Sequence, residues 1–271
     1  MELISVVMGV YNCENRIDLV EQSVKSIINQ TYKNWELIIC NDGSTDETYK
    51  YLKQIAKLDS RIRVISYNKN RGRAYAANFG IKHARGNYIA RQDDDDISYP
   101  NRLEKEIEYL KNHKEIGFVG SNADVYNSNE GIWGELIVPE TPTKNSFLWN
   151  SPFIQPTIMF RKESLDLVDG YRVKKETRRC EDYDLFMRLY AKGIRGYNIQ
   201  QNLCRYKVEN SSKKYRSSRD RVEEMKVRLY GFKEMNIGIK RVPYVIKPIL
   251  VGLIPQFIFR KIKEKQYGQN K

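Results

Sequence analysis

The chain has few cysteines and histidines, and they are scattered. Among its 271 residues are four Cys and two His, and no CxxC pair occurs. Neither a structural zinc site nor a disulfide framework is therefore expected, and isolated thiols suit a reducing cytosol. The first residues also lack a basic stretch followed by a long apolar one, so no secretory signal is expected. These absences favour a cytoplasmic protein.

Acidic residues are scarce in the C-terminal part. Residues 213–271 contain 16 Lys and Arg against 5 Asp and Glu, whereas residues 1–212 contain 31 and 29. A nearly neutral body argues against nucleic acid as a partner. The apolar stretch 242–259 is interrupted by Pro243, Pro248 and Pro255, which makes it too broken for a spanning helix.

A basic cluster of Arg260, Lys261, Lys263 and Lys265 follows this stretch. An apolar face beside a basic cluster is typical of a helix at an anionic membrane surface. A helix packed on the catalytic domain, or on a second subunit in a homodimer, fits the same pattern equally well. Both interpretations stay open at this point.

Strands and helices alternate along the first part of the chain. Apolar runs rich in β-branched residues predict strands at 4–10, 35–40, 63–66 and 87–91, and apolar periodicity predicts helices at 17–30, 44–58, 72–84 and 100–112. This alternation predicts a Rossmann-like α/β fold, a mainly parallel sheet with helices on both faces. Ligands then bind at the carboxyl ends of the strands. The less regular second half predicts strands at 117–126, 135–138 and 156–161 and helices at 182–192 and 219–232.

Four consecutive carboxylates, Asp93 to Asp96, follow directly on the predicted strand 87–91. On an extended chain alternate side chains share a face, so Asp93 and Asp95 can point the same way. Two carboxylates on one face form a hard oxygen site for Mn²⁺ or Mg²⁺, which also binds substrate phosphates. A solvated acidic loop is the alternative for an isolated run.

Several short motifs occur in a fixed order around this run. They are Ser5–Asn12, Gln30-Thr31-Tyr32, Asn41–Asp46, Asn70-Arg71-Gly72 with Asn78, the acidic run with Pro100–Leu103, and Glu181-Asp182. In this order, residues 3–210 resemble glycosyltransferase family 2, whose members are inverting enzymes with the GT-A fold. The resemblance implies a catalytic domain over residues 1–212, followed by a basic helical extension over 213–271.

The resemblance also implies a role for each matching residue. Asp182 is placed like the general base and Asp95 like the metal ligand, with Mn²⁺ or Mg²⁺ as cofactor. Asp93 is placed like the carboxylate near the ribose and the sugar. The residues placed like the donor-nucleotide pocket are Val10, Tyr11, Asn12, Asp42, Asn70, Gly72, Asn78, Asp93 and Asp94, and those placed like the sugar and acceptor pocket are Gln155, Pro156, Thr157 and Glu181.

Three positions depart from the family pattern. Gly9 stands where the family often has proline, which a turn at the end of a strand tolerates. Gln155 stands where a histidine is frequent, so a donor or acceptor contact is expected to differ. Glu209 stands where many relatives have a histidine that reaches the metal; a carboxylate there either still binds a hard cation or has lost the role.

The resemblance implies transfer of a sugar from a nucleotide diphosphate donor, UDP-linked, to a growing lipid-linked glycan for a surface polysaccharide. The enzyme would be cytoplasmic and peripheral on the inner face of the membrane. A sugar-phosphate nucleotidyltransferase is one alternative, but it would need a Gly-rich phosphate loop after the first strand, where Tyr11-Asn12-Cys13-Glu14 stands. A non-catalytic nucleotide-binding membrane adaptor is the other, and donor hydrolysis distinguishes it.

Overall fold

A computed structural model describes residues 1–128, 130–208 and 217–254. Glu209 lies outside the described residues, and so does the whole basic cluster Arg260, Lys261, Lys263 and Lys265. Within the described part, none of the helices is both long and apolar enough to cross a bilayer. All four cysteines are buried free thiols, as expected from their spacing.

The N-terminal half forms a parallel sheet. Its strands are β1 (Ile4–Val10), β2 (Trp35–Asn41), β3 (Ile62–Ser66) and β4 (Tyr88–Gln92), in the order β3-β2-β1-β4. The connecting helices are α1 (Ile17–Ile28), α2 (Thr48–Ile55) and α3 (Arg73–His83). Along β1, Val6 and Met8 pack in one apolar cluster and Val7 in the other, so helices cover both faces.

The second half extends this sheet with mixed strand directions. It contains β5 (Ile97–Ser98), α4 (Arg102–Asn112), β6 (Ile116–Asn127), β7 (Gly131–Leu136), β8 (Met159–Arg161), α5 (Lys162–Asp166), α6 (Glu181–Ala191) and β9 (Arg195–Lys207). Strand β8 lies antiparallel between β4 and β6, and β9 runs parallel to β6. The predicted mixed α/β fold is confirmed.

Two predicted elements begin later than their patterns indicated. The helix expected from Ser44 begins at Thr48, because the Ser44 hydroxyl accepts the backbone N–H of Asn12 instead of capping a helix. The strand expected from Pro156 begins at Met159, because Gln155–Thr157 forms a 3₁₀ turn. Strand β9 was not predicted, since its polar residues interrupt any apolar run.

Two helices follow at the C-terminal side, α7 (Ser218–Glu234) and α8 (Val242–Gly252). Helix α7 packs closely on α6, since a Cβ on Gly231 would lie 2.5 Å from the Met187 sulfur. The buried Arg228 donates to the carbonyls of Leu148 at 3.0 Å and Trp149 at 3.2 Å. Helix α7 is thereby fixed to the body of the protein. The predicted domain boundary at residue 212 falls among residues that are not described.

Candidate active site

The four consecutive aspartates form a tight turn between β4 and β5, and neighbouring side chains hold its backbone. The Ser23 hydroxyl donates to the Asp93 carbonyl at 2.9 Å, and the Tyr126 hydroxyl donates to the Asp95 carbonyl at 2.6 Å. The turn therefore has a fixed conformation, and its carboxylates are positioned before any ligand binds.

A buried arginine supports this turn from below. Arg102 is fully buried and donates to Gln92 Oε1 at 3.0 Å and to Ser98 Oγ at 2.9 Å. Its Nε also lies 2.8 Å from Glu106 Oε1, and burial raises the pKa of Glu106 to about 7. Because Gln92 in turn donates to the Asp96 carbonyl at 2.8 Å, Arg102 positions the acidic turn through Gln92.

The carboxylates of the turn have different surroundings. Asp94 forms an ion pair with Arg16 at 2.7 Å. Asp96 is buried and accepts the backbone N–H of Lys207 at 2.7 Å, and burial with the charges of Asp93 and Asp95 raises its pKa well above the ordinary value. Burial and the charges of Asp94 and Asp93 raise the pKa of Asp95 to about 6. The turn thus concentrates four carboxyl groups, and burial together with their mutual repulsion opposes their ionisation.

This concentration of carboxyl groups fits a bound cation. Asp93 and Asp95 make no side-chain hydrogen bond or ion pair within the described ranges, so their oxygens are available as hard ligands. In the part of the chain that the structure describes, however, no group of three or more Asp, Glu, His or Cys residues is arranged to hold a metal by itself. Mg²⁺ and Mn²⁺ commonly bind through one or two carboxylates and substrate phosphates. The turn provides the carboxylates of such a site, and a bound substrate would provide the phosphates.

At the end of β2, the Asp42 carboxylate closes the loop that leads into α3. It accepts the Tyr67 hydroxyl at 2.7 Å, Asn70 Nδ2 at 3.0 Å, and the backbone N–H groups of Arg71 at 2.8 Å and Gly72 at 3.0 Å. A carboxylate has about four acceptor positions, so these bonds use its ordinary capacity. The structure therefore brings together Asp42, Asn70 and Gly72, which were predicted as donor residues from separate motifs. Their contact with a nucleotide stays a prediction.

Asn12 joins the ends of β1 and β2. Its backbone has a positive φ of 43°, its side-chain oxygen accepts the N–H of Thr45 at 2.9 Å, and its own N–H donates to Ser44 at 3.0 Å. The neighbouring Val10 is 1% exposed, whereas Tyr11 is 42% exposed. Of these three predicted donor residues, Tyr11 therefore offers an open ring surface, and Asn12 and Val10 shape the strand end below it.

Three distant segments meet at Tyr171, which lies in the loop before α6. Asn78 of α3 donates to the Tyr171 carbonyl at 2.7 Å and accepts the Tyr171 N–H at 2.8 Å, while Gln155 Nε2 donates to the Tyr171 hydroxyl at 3.2 Å. Burial raises the pKa of this phenol, and the negative charges of Asp182 and Asp93 raise it further. The charges of the acidic turn and of the start of α6 therefore both act on Tyr171.

Helix α6 begins with three carboxylates that have different roles. Asp184 is buried and lies 3.0 Å from Arg172 and 2.7 Å from Arg188, so it serves the packing of α6. Glu181 is 7% exposed, and burial together with the charge of Asp182 raises its pKa. Asp182 is half-buried, so a substrate can reach it. Of the three, Asp182 best meets the requirements of a general base.

The turn Gln155–Thr157 packs on strands β4, β6 and β9. Pro156 and Thr157 are buried, and the Thr157 hydroxyl accepts the Ser121 N–H at 3.1 Å and donates to the Ile154 carbonyl at 2.8 Å. The structure thus uses Thr157 to hold the turn on β6. Gln155 is the member of the predicted sugar and acceptor pocket that has a polar group directed at Tyr171.

The sequence patterns did not single out Arg73, the first residue of α3. The negative charge of Asp93, with those of Glu181, Asp94 and Asp95, raises the pKa of its guanidinium although burial lowers it. Arg73 thus lies between the acidic turn and α6. The sequence did contain one indication of its role. Arg73 is a cation in the first turn of a predicted helix, where it opposes the helix dipole and needs another source of stabilisation.

The structure thus places an acidic turn at the carboxyl end of β4 and a half-buried carboxylate, Asp182, in the first turn of α6. Residues 5–168 match the sequence model described as glycosyl transferase family 2. The chain belongs to this family, as its motifs predicted.

Similar proteins come from bacteria and archaea. The glycosyltransferase EpsE of Bacillus subtilis is 35% identical over 99% of this chain and 95% of its own length. The Escherichia coli protein WfgD, named UDP-Glc:α-D-GlcNAc-diphosphoundecaprenol β-1,3-glucosyltransferase, is 32% identical over 93% of this chain and 94% of its own.

Solved structures share the GT-A fold at low identity. S. aureus TarS residues 1–349 in complex with UDP superposes with a TM-score of 0.63 and 17% identity over 92% of this chain and 71% of that one. The mannosyltransferase PcManGT of Pyrobaculum calidifontis, in complex with GDP-Man and Mn²⁺, also gives 0.63 with 15% identity, over 97% and 80%.

Proposed function

We propose that this chain is an inverting glycosyltransferase that moves a sugar from a UDP-linked donor to a lipid-linked glycan for a surface polysaccharide. The observation that carries the proposal is a pair of carboxylates, Asp93 in the turn after β4 and the half-buried Asp182 in the first turn of α6, in a chain whose residues 5–168 match the family. In the proposed reaction Asp93 lies on the donor side and Asp182 serves the acceptor, as a single displacement requires.

In this mechanism Asp182 accepts the proton of the acceptor hydroxyl as its oxygen bonds to the anomeric carbon. The bond from that carbon to the diphosphate oxygen breaks at the same time, and the nucleotide diphosphate leaves from the opposite face. One base is sufficient because no covalent intermediate forms, and the anomeric configuration inverts. Arg73 lies where a guanidinium can neutralise charge that develops on the diphosphate.

Asp93 and Asp95 would hold a divalent cation, Mn²⁺ or Mg²⁺, together with the donor phosphates. Such an ion supplies charge stabilisation for the leaving diphosphate. The raised pKa of Asp95 supports this assignment, since a cation favours the ionised carboxylate that burial disfavours. The Mn²⁺ complex of PcManGT and the UDP complex of TarS support the choice of metal and nucleotide.

The acceptor class follows from the relatives. WfgD is named for a diphosphoundecaprenol-linked acceptor, and it aligns with this chain over nearly its whole length. A lipid-linked acceptor on this chain would require the enzyme to work at the cytoplasmic face of the membrane as a peripheral protein. The sequence also allows the alternative that the C-terminal helices form the contact of a homodimer.

A panel of nucleotide sugars tests the proposal. The melting temperature of the protein is measured with each of them, with and without Mn²⁺, because a ligand stabilises the fold in proportion to its occupancy. A UDP-sugar should raise it most, and only with the metal. NMR of the product should show inversion at the anomeric carbon. Equal turnover in excess chelator would contradict the metal assignment, and retention of configuration would contradict the mechanism.

A further inference from the structure

Helix α8 exposes an apolar stripe. Val242, Ile246, Leu250 and Leu253 are 50%, 44%, 56% and 76% exposed, at spacings of four, four and three residues. These spacings place them along one side of the helix and its final turn. The sequence of α8 contains neither Asp nor Glu, so no carboxylate of α8 itself interrupts the stripe.

The opposite side of α8 is fixed to the protein. Tyr244 and Val245 pack against the main apolar cluster, and Pro248 is buried. Arg221 of α7 donates to the Pro248 carbonyl at 3.1 Å, and a Cβ on Gly252 would lie 2.6 Å from the Arg221 side chain. These contacts orient the helix, so the exposed stripe is a fixed feature of the surface.

An aromatic and a basic side chain stand beside this helix. Trp149 is 62% exposed, and the Lys247 ammonium lies 3.8 Å from the centre of its ring. Lys247 also donates to Asn150 Oδ1 at 3.0 Å. An exposed Trp paired with Lys at the edge of an apolar face is the composition found where proteins meet the headgroup region of a bilayer.

The sequence continues this combination of apolar and basic residues. Phe257, Ile258 and Phe259 follow the stripe, then Arg260, Lys261, Lys263 and Lys265, within a segment of 16 basic and 5 acidic residues. We infer that the stripe of α8, with Trp149, docks on an anionic bilayer surface. Charge complementarity selects this occupant, because a second copy would bring an equally basic segment to the contact.

Docking there would place the start of α6 near the lipid. Helix α8 packs on α7, α7 packs on α6 through Gly231, and Arg179, just before α6, lies 3.6 Å from Asp220 of α7. The membrane contact is therefore connected by rigid packing to the helix that begins with Glu181 and Asp182. The inference rests on the proposed function in one respect, that a lipid-linked acceptor would approach this helix.

Vesicle flotation of the full chain tests the inference. The vesicles contain phosphatidylcholine with one quarter phosphatidylglycerol, or phosphatidylcholine alone. The test variants are Leu250→Asp and Leu253→Asp, and the matched controls are Leu58→Asp and Leu167→Asp, at 49% and 66% exposed leucines of the catalytic body. We expect the test variants to lose about tenfold or more in partitioning to anionic vesicles, while the controls bind as the parent chain does.

Binding of the parent chain should also fall steeply with added salt and be weak on neutral vesicles. Equal partitioning of test and control variants would overturn the inference. A large loss of melting temperature without vesicles in Leu250→Asp, or conversion of a dimer to a monomer by it, would show that protein covers the stripe and would also overturn it.

Donor hydrolysis separates this inference from the proposed function. It should be unchanged in Leu250→Asp and Leu253→Asp, since neither residue belongs to the candidate active site. If no nucleotide sugar is hydrolysed by the parent chain but the vesicle result stands, the proposed function fails and the docking surface remains.

Discussion

Asn78 holds the backbone of Tyr171 with both polar atoms of its side chain, by bonds of 2.7 and 2.8 Å. These two bonds join α3, which follows the donor loop, to the loop that leads into α6. Gly170, with a φ of 61°, brings the chain so close that a Cβ there would lie 2.5 Å from Asn78 Oδ1. The spacing between α3 and the loop that leads into α6 is therefore set at this point.

Asn78→Ala should destabilise the protein and slow transfer. Two backbone groups of Tyr171 lose their partners, which costs about 1–3 kcal/mol of unfolding free energy for each buried unsatisfied group. Loosening of the loop before Asp182 should lower kcat more than donor affinity. Urea denaturation and steady-state kinetics measure both effects, with Asn112→Ala as control at an exposed residue. Unchanged kcat in Asn78→Ala would show that this link does not position α6.

Asp95 should make the stability of the metal-free protein depend on pH. Its folded pKa of about 6 lies above the ordinary value of 3.8, so the folded state binds this proton more tightly than the unfolded state. The stabilisation is complete below the ordinary value and is lost as the pH rises through about 6. The contribution of Asp95 to the free energy of unfolding should therefore decline from pH 4 to 7, so the parent chain should lose more stability over this range than Asp95→Asn does.

Denaturation curves at several pH values measure this decline in both proteins. Asp18→Asn, at an exposed residue of α1, is the control and should keep the parent slope. Saturating Mn²⁺ should reduce the slope of the parent chain and leave that of Asp95→Asn nearly unchanged. Identical slopes for the parent and Asp95→Asn would contradict the environment assigned to Asp95.

Asp182→Asn should lose transfer while keeping the fold. The amide preserves the shape but cannot accept the acceptor proton, so turnover should fall by roughly 10²–10⁴. Donor affinity should change little, since Asp182 is not assigned to the nucleotide. Single-turnover transfer and calorimetric donor titration measure the two quantities. Near-normal turnover would move the search for the base to Glu181.

Asp184→Asn should show the opposite behaviour. Asp184 is paired with Arg172 and Arg188 in a buried position, so loss of its charge should lower the unfolding free energy by roughly 1–3 kcal/mol. Turnover per folded molecule should stay close to that of the parent chain. A turnover loss as deep as that of Asp182→Asn would show that Asp184 acts in the reaction.

Arg73→Gln should weaken donor binding about tenfold, because one charge-assisted bond to the diphosphate, of about 1.5–3 kcal/mol, is removed. Loss of its charge should also raise the pKa values of Asp94 and Glu181, which the Arg73 guanidinium lowers in the parent chain. Titration with a UDP-sugar measures affinity, with Arg85→Gln as control at an exposed arginine. Equal affinities for the two variants would exclude Arg73 from the donor site.

The sequence by itself determined the parallel half of the sheet and the family. Apolar runs rich in β-branched residues, such as Ile4–Val10, are typical of strands that are buried on both faces of a parallel sheet. Polar residues that follow such strands lie together at the carboxyl edge of the sheet. Asp42 and Asp93 were therefore identifiable as candidates from the sequence, and Asp182 was identified from the resemblance of Glu181-Asp182 to the family motif. The family motifs added the order in which they occur.

Only the tertiary structure shows which partner each of these carboxylates binds. Local patterns do not reveal that Asp42 is bonded to the loop 67–72, that Asp94 pairs with Arg16, or that Asp184 pairs with Arg172 and Arg188. Asp42 and Asp94 pair with residues that are distant in sequence, and Asp184 pairs with Arg188 one turn further along the same buried helix. Strand β9, the role of Arg73 and the exposed side of α8 depend in the same way on which surfaces the fold brings together and which it leaves open, because burial and long-range charge are properties of the packed chain.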